Sequence, residues 1–408
     1  MDSKHDGRGL TVNAPTESLL IIEQYLNDNY LFRRNELNGK VEFAVIRTDA
    51  EGHPVAEEPL FRPLTQEALN SIVIRAKRDE ICEKGSPKQD IVEFVNSEEV
   101  PQYNPIQEYL NNLPAWDGQN HVAKLFSRLP GLSTEQHAFL AIWLRSAVAH
   151  WLQLDMLHGN EVVPVLIGPQ GCGKTTFLRR LLPQHLRQYY LDHLNLSNKF
   201  DKEMALTSNL LVNVDELDQV RRSQQAELKQ LLSKSRVNGR PIYGRAQEDR
   251  RRYASFVATT NNLHPLHYPT GSRRFLCIEI RAGKLIDNLT PIDYEQVYAQ
   301  LMNELRGGER YWLEENETRA LQRANAPYES TLDMERMVDT CFRHPEEHEV
   351  CRPLRMPEIV DIVARQYPFV MPTQSTKVQL GIALSARGFR QERDNQARYY
   401  SAVPRTES

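Results

Sequence analysis

The run Gly168-Pro169-Gln170-Gly171-Cys172-Gly173-Lys174-Thr175 constrains this chain more than any other stretch of its 408 residues. It fits the pattern G-x-x-x-x-G-K-[ST] and lies between an apolar segment, residues 162–167, and a helix expected to start near Lys174. Glycines at such a junction let backbone amides turn inward onto phosphate oxygens. A lysine ammonium then adds a point charge at the β and γ positions, and the hydroxyl of Thr175 is a ligand for Mg²⁺. The pattern therefore predicts a nucleotide site built from Gly168, Pro169, Gln170, Gly171, Cys172, Gly173, Lys174, Thr175 and Thr176, with ATP and Mg²⁺ as its cofactors. The competing reading is a glycine-rich turn between a strand and a helix.

The segments after the loop favour the nucleotide site. From Glu161 to Ile280 apolar segments alternate with helical ones: VVPVLIG, then LLVNVDE, SFVATTN and FLCIEI. That alternation implies a mostly parallel sheet covered on both faces. Forty-one residues after Lys174, the second strand ends in Asp215 and Glu216. A strand that delivers two carboxylates at its C-terminal end sets one beside the metal and one beside the attacking water, so Asp215 is expected to hold Mg²⁺ and Glu216 to act as general base. An acidic pair also caps helices in ordinary proteins. The third strand ends at Asn261, suited to orienting water or sensing the γ-phosphate, or to a plain turn. Arg273 and Arg274 precede the fourth strand. One of them is expected to reach a neighbouring subunit's γ-phosphate, the alternative being a surface ion pair.

Net charge is −4, which gives no global attraction to nucleic acid. Between Arg221 and Arg252, however, ten basic residues face three acidic ones. Arg240, Tyr243 and Arg245 interleave an aromatic with cations, and Arg250, Arg251 and Arg252 come next, a composition suited to tracking phosphates while stacking bases. A solvated charged face is the plainer reading. The five cysteines are scattered and odd in number, which fits free thiols better than a disulfide framework. Cys341, His344, His348 and Cys351 have ligand chemistry, but the inner pair is too closely spaced for a usual zinc finger, and Glu346, Glu347 and Glu349 suit a solvated loop. No segment has the roughly 18 apolar residues of a membrane span. The polar N-terminus lacks a secretory core, so a cytoplasmic protein is expected.

Outside the alternating region, Ser18–Leu31 reads as a helix, Val41–Ile46 as a strand after the Asn38-Gly39 turn, and Leu64–Ile81 as a helix capped by Thr65. Glu135–Leu154 is an almost wholly apolar helix, expected to be buried, and Tyr294–Leu321 is helical. From Leu332 the order is helix, helix, hairpin, as in a winged helix-turn-helix. The chain thus divides into four regions: an α+β N-terminal region (1–103), a helical lead-in (104–158), the nucleotide-binding domain (159–325) and a winged-helix-like C-terminal domain (330–408).

The motif set GPQGCGKTTFLRRLLP, LLVNVDELDQV, LKQLLSKSRVNGRPIYGR, SFVATTNN and PTGSRRF, in that order, resembles the virulence-associated protein E-like ATPases of bacterial mobile elements, relatives of superfamily 3 helicases. The likeness covers about Pro105 to Leu321, and the C-terminal part is similar to a helical domain of the Bacteroides-type members. It implies an α/β P-loop NTPase core of the AAA+ and superfamily 3 kind. It also implies a helicase or translocase that forms a homo-oligomer, a hexameric ring, on single-stranded or forked DNA during replication of a phage, plasmid or island. Such proteins are often fused to a primase. No primase-like carboxylate cluster is evident here, so a primase becomes a candidate partner. A nucleotide switch or adaptor that recruits replication or defence partners without unwinding is the other reading.

Overall fold

Gly39, at φ +70°, lets the chain turn back on itself, so that β1 (Tyr30–Asn35) pairs antiparallel with β2 (Val41–Val45). In this computed structural model the described residues are 14–47, 58–82, 85–155, 159–196, 198–220, 222–234, 236–239, 248–266, 273–329, 332–346, 349, 352–368, 370–393 and 398–405. They fall into two compact units, one of the described residues up to Asn112 and one of those from Leu113 onward. In the first, α1 (Ala14–Asn29) precedes the hairpin, and β3 (Arg62–Pro63) and β4 (Gln102–Tyr103) complete a sheet ordered β3-β2-β1-β4. Helices α2 (Gln66–Arg78), α3 (Lys88–Asn96) and α4 (Pro105–Asn111) accompany it. Ile22, Leu26, Phe32, Phe43, Ile72 and Ile91 form its core. The first helix stops two residues before the expected Leu31, because Tyr30 and Leu31 are taken by pairing with Val45 and Ala44. Thr65 caps α2 as read, its hydroxyl accepting from the Ala68 amide at 3.2 Å.

The second unit opens with α5 (His121–Phe126) and α6 (Thr134–Trp151). Ser133 and Gln136 close a capping box on α6, and the helix is buried along most of its length, as its missing polar face requires. Its Trp151 indole donates to Leu210 O at 3.1 Å, tying it to the sheet. That sheet contains β5 (Val163–Ile167), β6 (Tyr190–Leu191), β7 (Leu211–Val214), β10 (Ser255–Thr260) and β11 (Phe275–Glu279), all parallel, in the order β11-β5-β10-β7-β6. β5, β7 and β10 are buried at every residue, which explains their unbroken apolar runs. Asn213 interrupts β7 because its amide donates to Asp192 O at 3.1 Å, just beyond β6. The two-residue β6 was not expected from the sequence. It is too short to carry a periodic signal.

Between these strands lie α7 (Lys174–Arg179), α8 (Lys199–Ser208), α9 (Arg222–Ser233) and an antiparallel pair, β8 (Arg236–Gly239) and β9 (Glu248–Arg251). The helical stretch after β11 is two helices, α10 (Tyr294–Arg306) and α11 (Glu315–Asn325), broken at Gly307-Gly308, where Gly308 takes φ +80°. The C-terminal part packs α12 (Leu332–Cys341), α13 (Met356–Gln366) and α14 (Gln374–Ala386) around Val338, Phe342, Ile359, Val363, Leu380 and Leu384. Short strands β12 (Phe342–Arg343) and β13 (Leu354–Arg355), then β14 (Gln391–Arg393), β15 (Arg398–Tyr400) and β16 (Val403–Pro404), complete it, with β13-β15-β14 forming a small antiparallel sheet. Among the described residues no helix is long and apolar enough to cross a membrane.

Candidate functional site

In a parallel sheet every strand ends on the same edge, so residues that come directly after neighbouring strands converge there. Here β10 lies between β5 and β7. The loop after β5 (168–173), Asp215 and Glu216 after β7, and Asn261 after β10 are thereby brought to one edge.

The loop is shaped by its glycines. Gly171 and Gly173 take φ +82° and +94°, and a Cβ on Gly173 would stand 2.4 Å from Asn288 Nδ2. A Cβ on Gly168 would lie 2.7 Å from Ile280 O, so the first glycine is set by close packing against the end of β11. Asn288 Nδ2 donates to Gly173 O at 3.0 Å and Ile286 N to Cys172 O at 3.0 Å, so the segment after β11 braces the loop from outside. Cys172 is buried, while Pro169, Gln170 and Gly171 face solvent.

Lys174 is 8% exposed, and its ammonium donates to Gly168 O at 2.7 Å, Pro169 O at 3.0 Å and Asn261 Oδ1 at 2.8 Å. It opens α7 with Thr175 and Thr176 behind it. A cleft of about 710 Å³ lies beside these two threonines, lined also by Arg179, Arg180, Arg187 and Asp192.

On the β7 side, the Thr259 hydroxyl donates to Asp215 Oδ1, and the Thr260 hydroxyl to Asp218 Oδ1. Glu216 is exposed and adopts φ 51°, ψ 53°, a left-handed conformation worth about 1–3 kcal/mol of strain for a residue with a Cβ. Such strain persists only where the surroundings over-determine it, and it clusters at functional sites. Thr259, Thr260, Asp218 and Asn288 were not singled out from sequence. Two hydroxyls directly before Asn261 and a carboxylate three residues after Asp215 were the available signals for the first three. Nothing in the sequence pointed to Asn288.

Arg273 and Arg274 are not at this edge of their own chain. Phe275 pairs with Val163 at the start of both strands, so the five residues of β5, about 16 Å at roughly 3.3 Å each, separate the arginines from the loop. Arg274 is committed locally, donating to Glu161 Oε2 at 3.2 Å and Ser233 Oγ at 3.0 Å. Arg273 is exposed, with no hydrogen bond or ion pair to it among the described residues.

The basic segment divides. Arg240, Tyr243 and Arg245 lie outside the described residues. Arg250 and Arg251 stand on β9, half-buried and exposed respectively. Arg252 must be removed from the nucleic-acid set. It is 3% exposed, and its guanidinium donates to the carbonyls of Ala254 (2.7 Å), Leu232 (2.7 Å), Lys234 (3.0 Å) and Asn160 (3.1 Å). Burial lowers its pKa to about 10, still a cation at neutral pH. A guanidinium with its donors spent on buried carbonyls has nothing left for a phosphate.

In the C-terminal part, Cys341 is buried with its thiol donating to Gln366 Oε1 at 3.1 Å, and burial raises its pKa to about 11. His344 stacks on Phe389 at 4.1 Å and bonds Arg387 O at 3.0 Å. His348 and Cys351 lie outside the described residues.

The family model of the virulence-associated protein E-like domain matches residues 110–330. A search of the curated proteins gives no match. Among solved structures, an A form apo structure of the NrS-1 C-terminal region is similar at 14% identity and TM-score 0.42, and an apo structure of the same region at 13% and 0.43. Each comparison covers 95% of this chain and 99% of the other.

Proposed function

The chain belongs to the virulence-associated protein E-like family, and on that premise we propose that it is a Mg²⁺-dependent ATPase acting on DNA in the replication of a mobile genetic element. The observation that carries the reading is Lys174, bonded at once to its own loop and to Asn261, one strand away from Asp215 and Glu216. Two features of the loop support the reading: Gly171 and Gly173 take the left-handed conformation from which anion-binding nests are built, and the absence of side chains at Gly168 and Gly173 lets the loop pack closely on Ile280 and Asn288. The Thr175 hydroxyl and the Asp215 carboxylate would hold Mg²⁺, which takes oxygen donors of this kind together with water and substrate phosphates. When bound, that ion neutralises charge developing on the phosphoryl oxygens.

The chain's own residues then have distinct tasks. Lys174 holds the β and γ oxygens, Asn261 orients the attacking water, and the Glu216 carboxylate takes its proton. Arg273 is too far from its own loop and is offered to a neighbouring subunit, which implies a ring, read as a hexamer, with Arg274 steadying the segment through Glu161. Arg240, Tyr243, Arg245, Arg250 and Arg251 are the proposed contacts to single-stranded or forked DNA. Residues 1–103, 104–158, 159–325 and 330–408 are the proposed N-terminal, lead-in, ATPase and winged-helix-like regions, and a primase is the proposed partner.

ATP turnover with and without single-stranded DNA tests the reading. Lys174→Ala should lose nucleotide binding, whereas Glu216→Gln should bind and not turn over, because only the latter leaves the phosphate cradle intact. Wild-type binding without turnover would instead support a nucleotide switch or adaptor.

A further inference from the structure

The last two residues of β10 and the residue after it each engage a different residue of the site. The Thr259 hydroxyl donates to Asp215, the Thr260 hydroxyl donates to Asp218, and Asn261 Oδ1 accepts from Lys174. Asp215 and Asp218 bracket Glu216, the residue held left-handed. Beneath it Leu217 is 5% exposed in the sheet core, and Val220 N closes a turn onto Leu217 O at 3.3 Å. The segment after β7 is thus pinned on both sides of Glu216 by one neighbouring strand, and from below by packing.

A general base imposes a particular demand on this segment. Its carboxylate must keep its lone pairs for water, so it cannot be aimed by strong hydrogen bonds of its own. Its direction has to come from its backbone, and an unfavourable φ keeps that backbone in place only if both flanks are fixed. We propose that Thr260 and Asp218 are positioning residues for Glu216. Their bond fixes the chain beyond the base as Thr259 and Asp215 fix it before, and the same strand end carries Asn261 to the phosphate lysine. Neither Thr260 nor Asp218 is assigned a contact to nucleotide. They set the geometry in which Glu216 meets water. The inference rests on the ATPase reading above.

The test uses the full chain and steady-state ATP hydrolysis. Thr260→Val removes the hydroxyl at nearly constant shape, Asp218→Ala removes its acceptor, and Thr260→Ser restores the donor. Thr260→Val and Asp218→Ala should each lower kcat by about 10- to 100-fold, the scale of a displaced catalytic group, with KM for ATP and the thermal midpoint near wild type. Thr260→Ser should recover most of the rate. The double variant should be no slower than Thr260→Val, since both singles remove the Thr260–Asp218 bond. Thr260→Val also takes the acceptor from the Asn262 amide, which donates to the Thr260 hydroxyl at 3.0 Å, so Asp218→Ala isolates the shared bond. Unchanged kcat, a rise in KM that accounts for the loss, or a serine variant as slow as valine would each overturn the proposal while leaving the ATPase reading intact. If the wild type bound ATP through Lys174 and never hydrolysed it, the positioning role would fall and the nucleotide site would stand. If Lys174→Ala hydrolysed ATP normally, the site itself would be misassigned.

Discussion

Asn261 Oδ1 accepts a hydrogen bond from the Lys174 ammonium at 2.8 Å, so the residue directly after β10 is bonded to the lysine that closes the loop after β5. The two are 87 residues apart, and only the insertion of β10 beside β5 makes them neighbours. The bond thus couples the lysine's position to the end of β10.

That bond separates binding from turnover. In Asn261→Ala the ammonium keeps Gly168 O and Pro169 O as partners, so ATP affinity should change by less than about threefold while kcat falls about 10- to 100-fold, as when one polar group is removed from a reacting centre. Separate determination of Kd and kcat checks it. An equal loss in both would mean that Asn261 merely supports the lysine.

Gly173→Ala should cost stability as well as activity. The new methyl would meet Asn288 Nδ2 at 2.4 Å and demand φ +94° of an alanine. Backbone strain of that kind is worth about 1–3 kcal/mol. Adding Asn288→Ala removes the collision but not the strain, so a denaturant titration should show partial recovery in the double variant. Full recovery would show that the clash alone mattered.

Arg252 and Arg251 should behave as opposites although adjacent. Arg252→Met leaves the carbonyls of Ala254, Leu232, Lys234 and Asn160 buried without their donor, with an expected loss of about 3 kcal/mol or more from desolvated acceptors. Arg251→Ala, on an exposed face of β9, should leave the thermal midpoint within a degree or two and weaken single-stranded DNA binding, lowering the salt slope by roughly 0.7 for each phosphate no longer neutralised. If Arg252→Met were as stable as wild type, the carbonyl cage would not be structural.

The arginines at the start of β11 bear on assembly. An inactive Arg273→Ala variant mixed with inactive Glu216→Gln should regain some ATPase, since a mixed ring contains sites with both groups intact. Arg274→Ala should instead lose modest stability by releasing Glu161 and Ser233. Absence of recovery, with a monomer by light scattering at assay concentration, would count against the shared site.

Much of this arrangement was legible in order along the chain. The glycine-rich loop, the buried α6, and β5, β7, β10 and β11 announce themselves through local rules: glycine at positive φ, an apolar run without a polar face, strands buried on both sides. Thr65 and the Asn38-Gly39 turn belong to the same class, because caps and turns are settled within four residues. The sequence by itself therefore determined that β5, β7, β10 and β11 are strands, where the glycine-rich loop lies, and that acidic and amide residues come after the next strands. It could not determine the strand order. Pairing is decided by contacts between residues far apart in the chain, and those contacts set Asn261 against Lys174, Thr260 against Asp218, and Arg273 at the opposite edge. Composition likewise counted Arg252 with its neighbours Arg250 and Arg251. Only the tertiary structure, by surrounding its guanidinium with carbonyls from the end of α9 and from the segments leading into β5 and β10, turned a surface charge into an internal clamp, because a buried cation is tolerated only where its donors are satisfied.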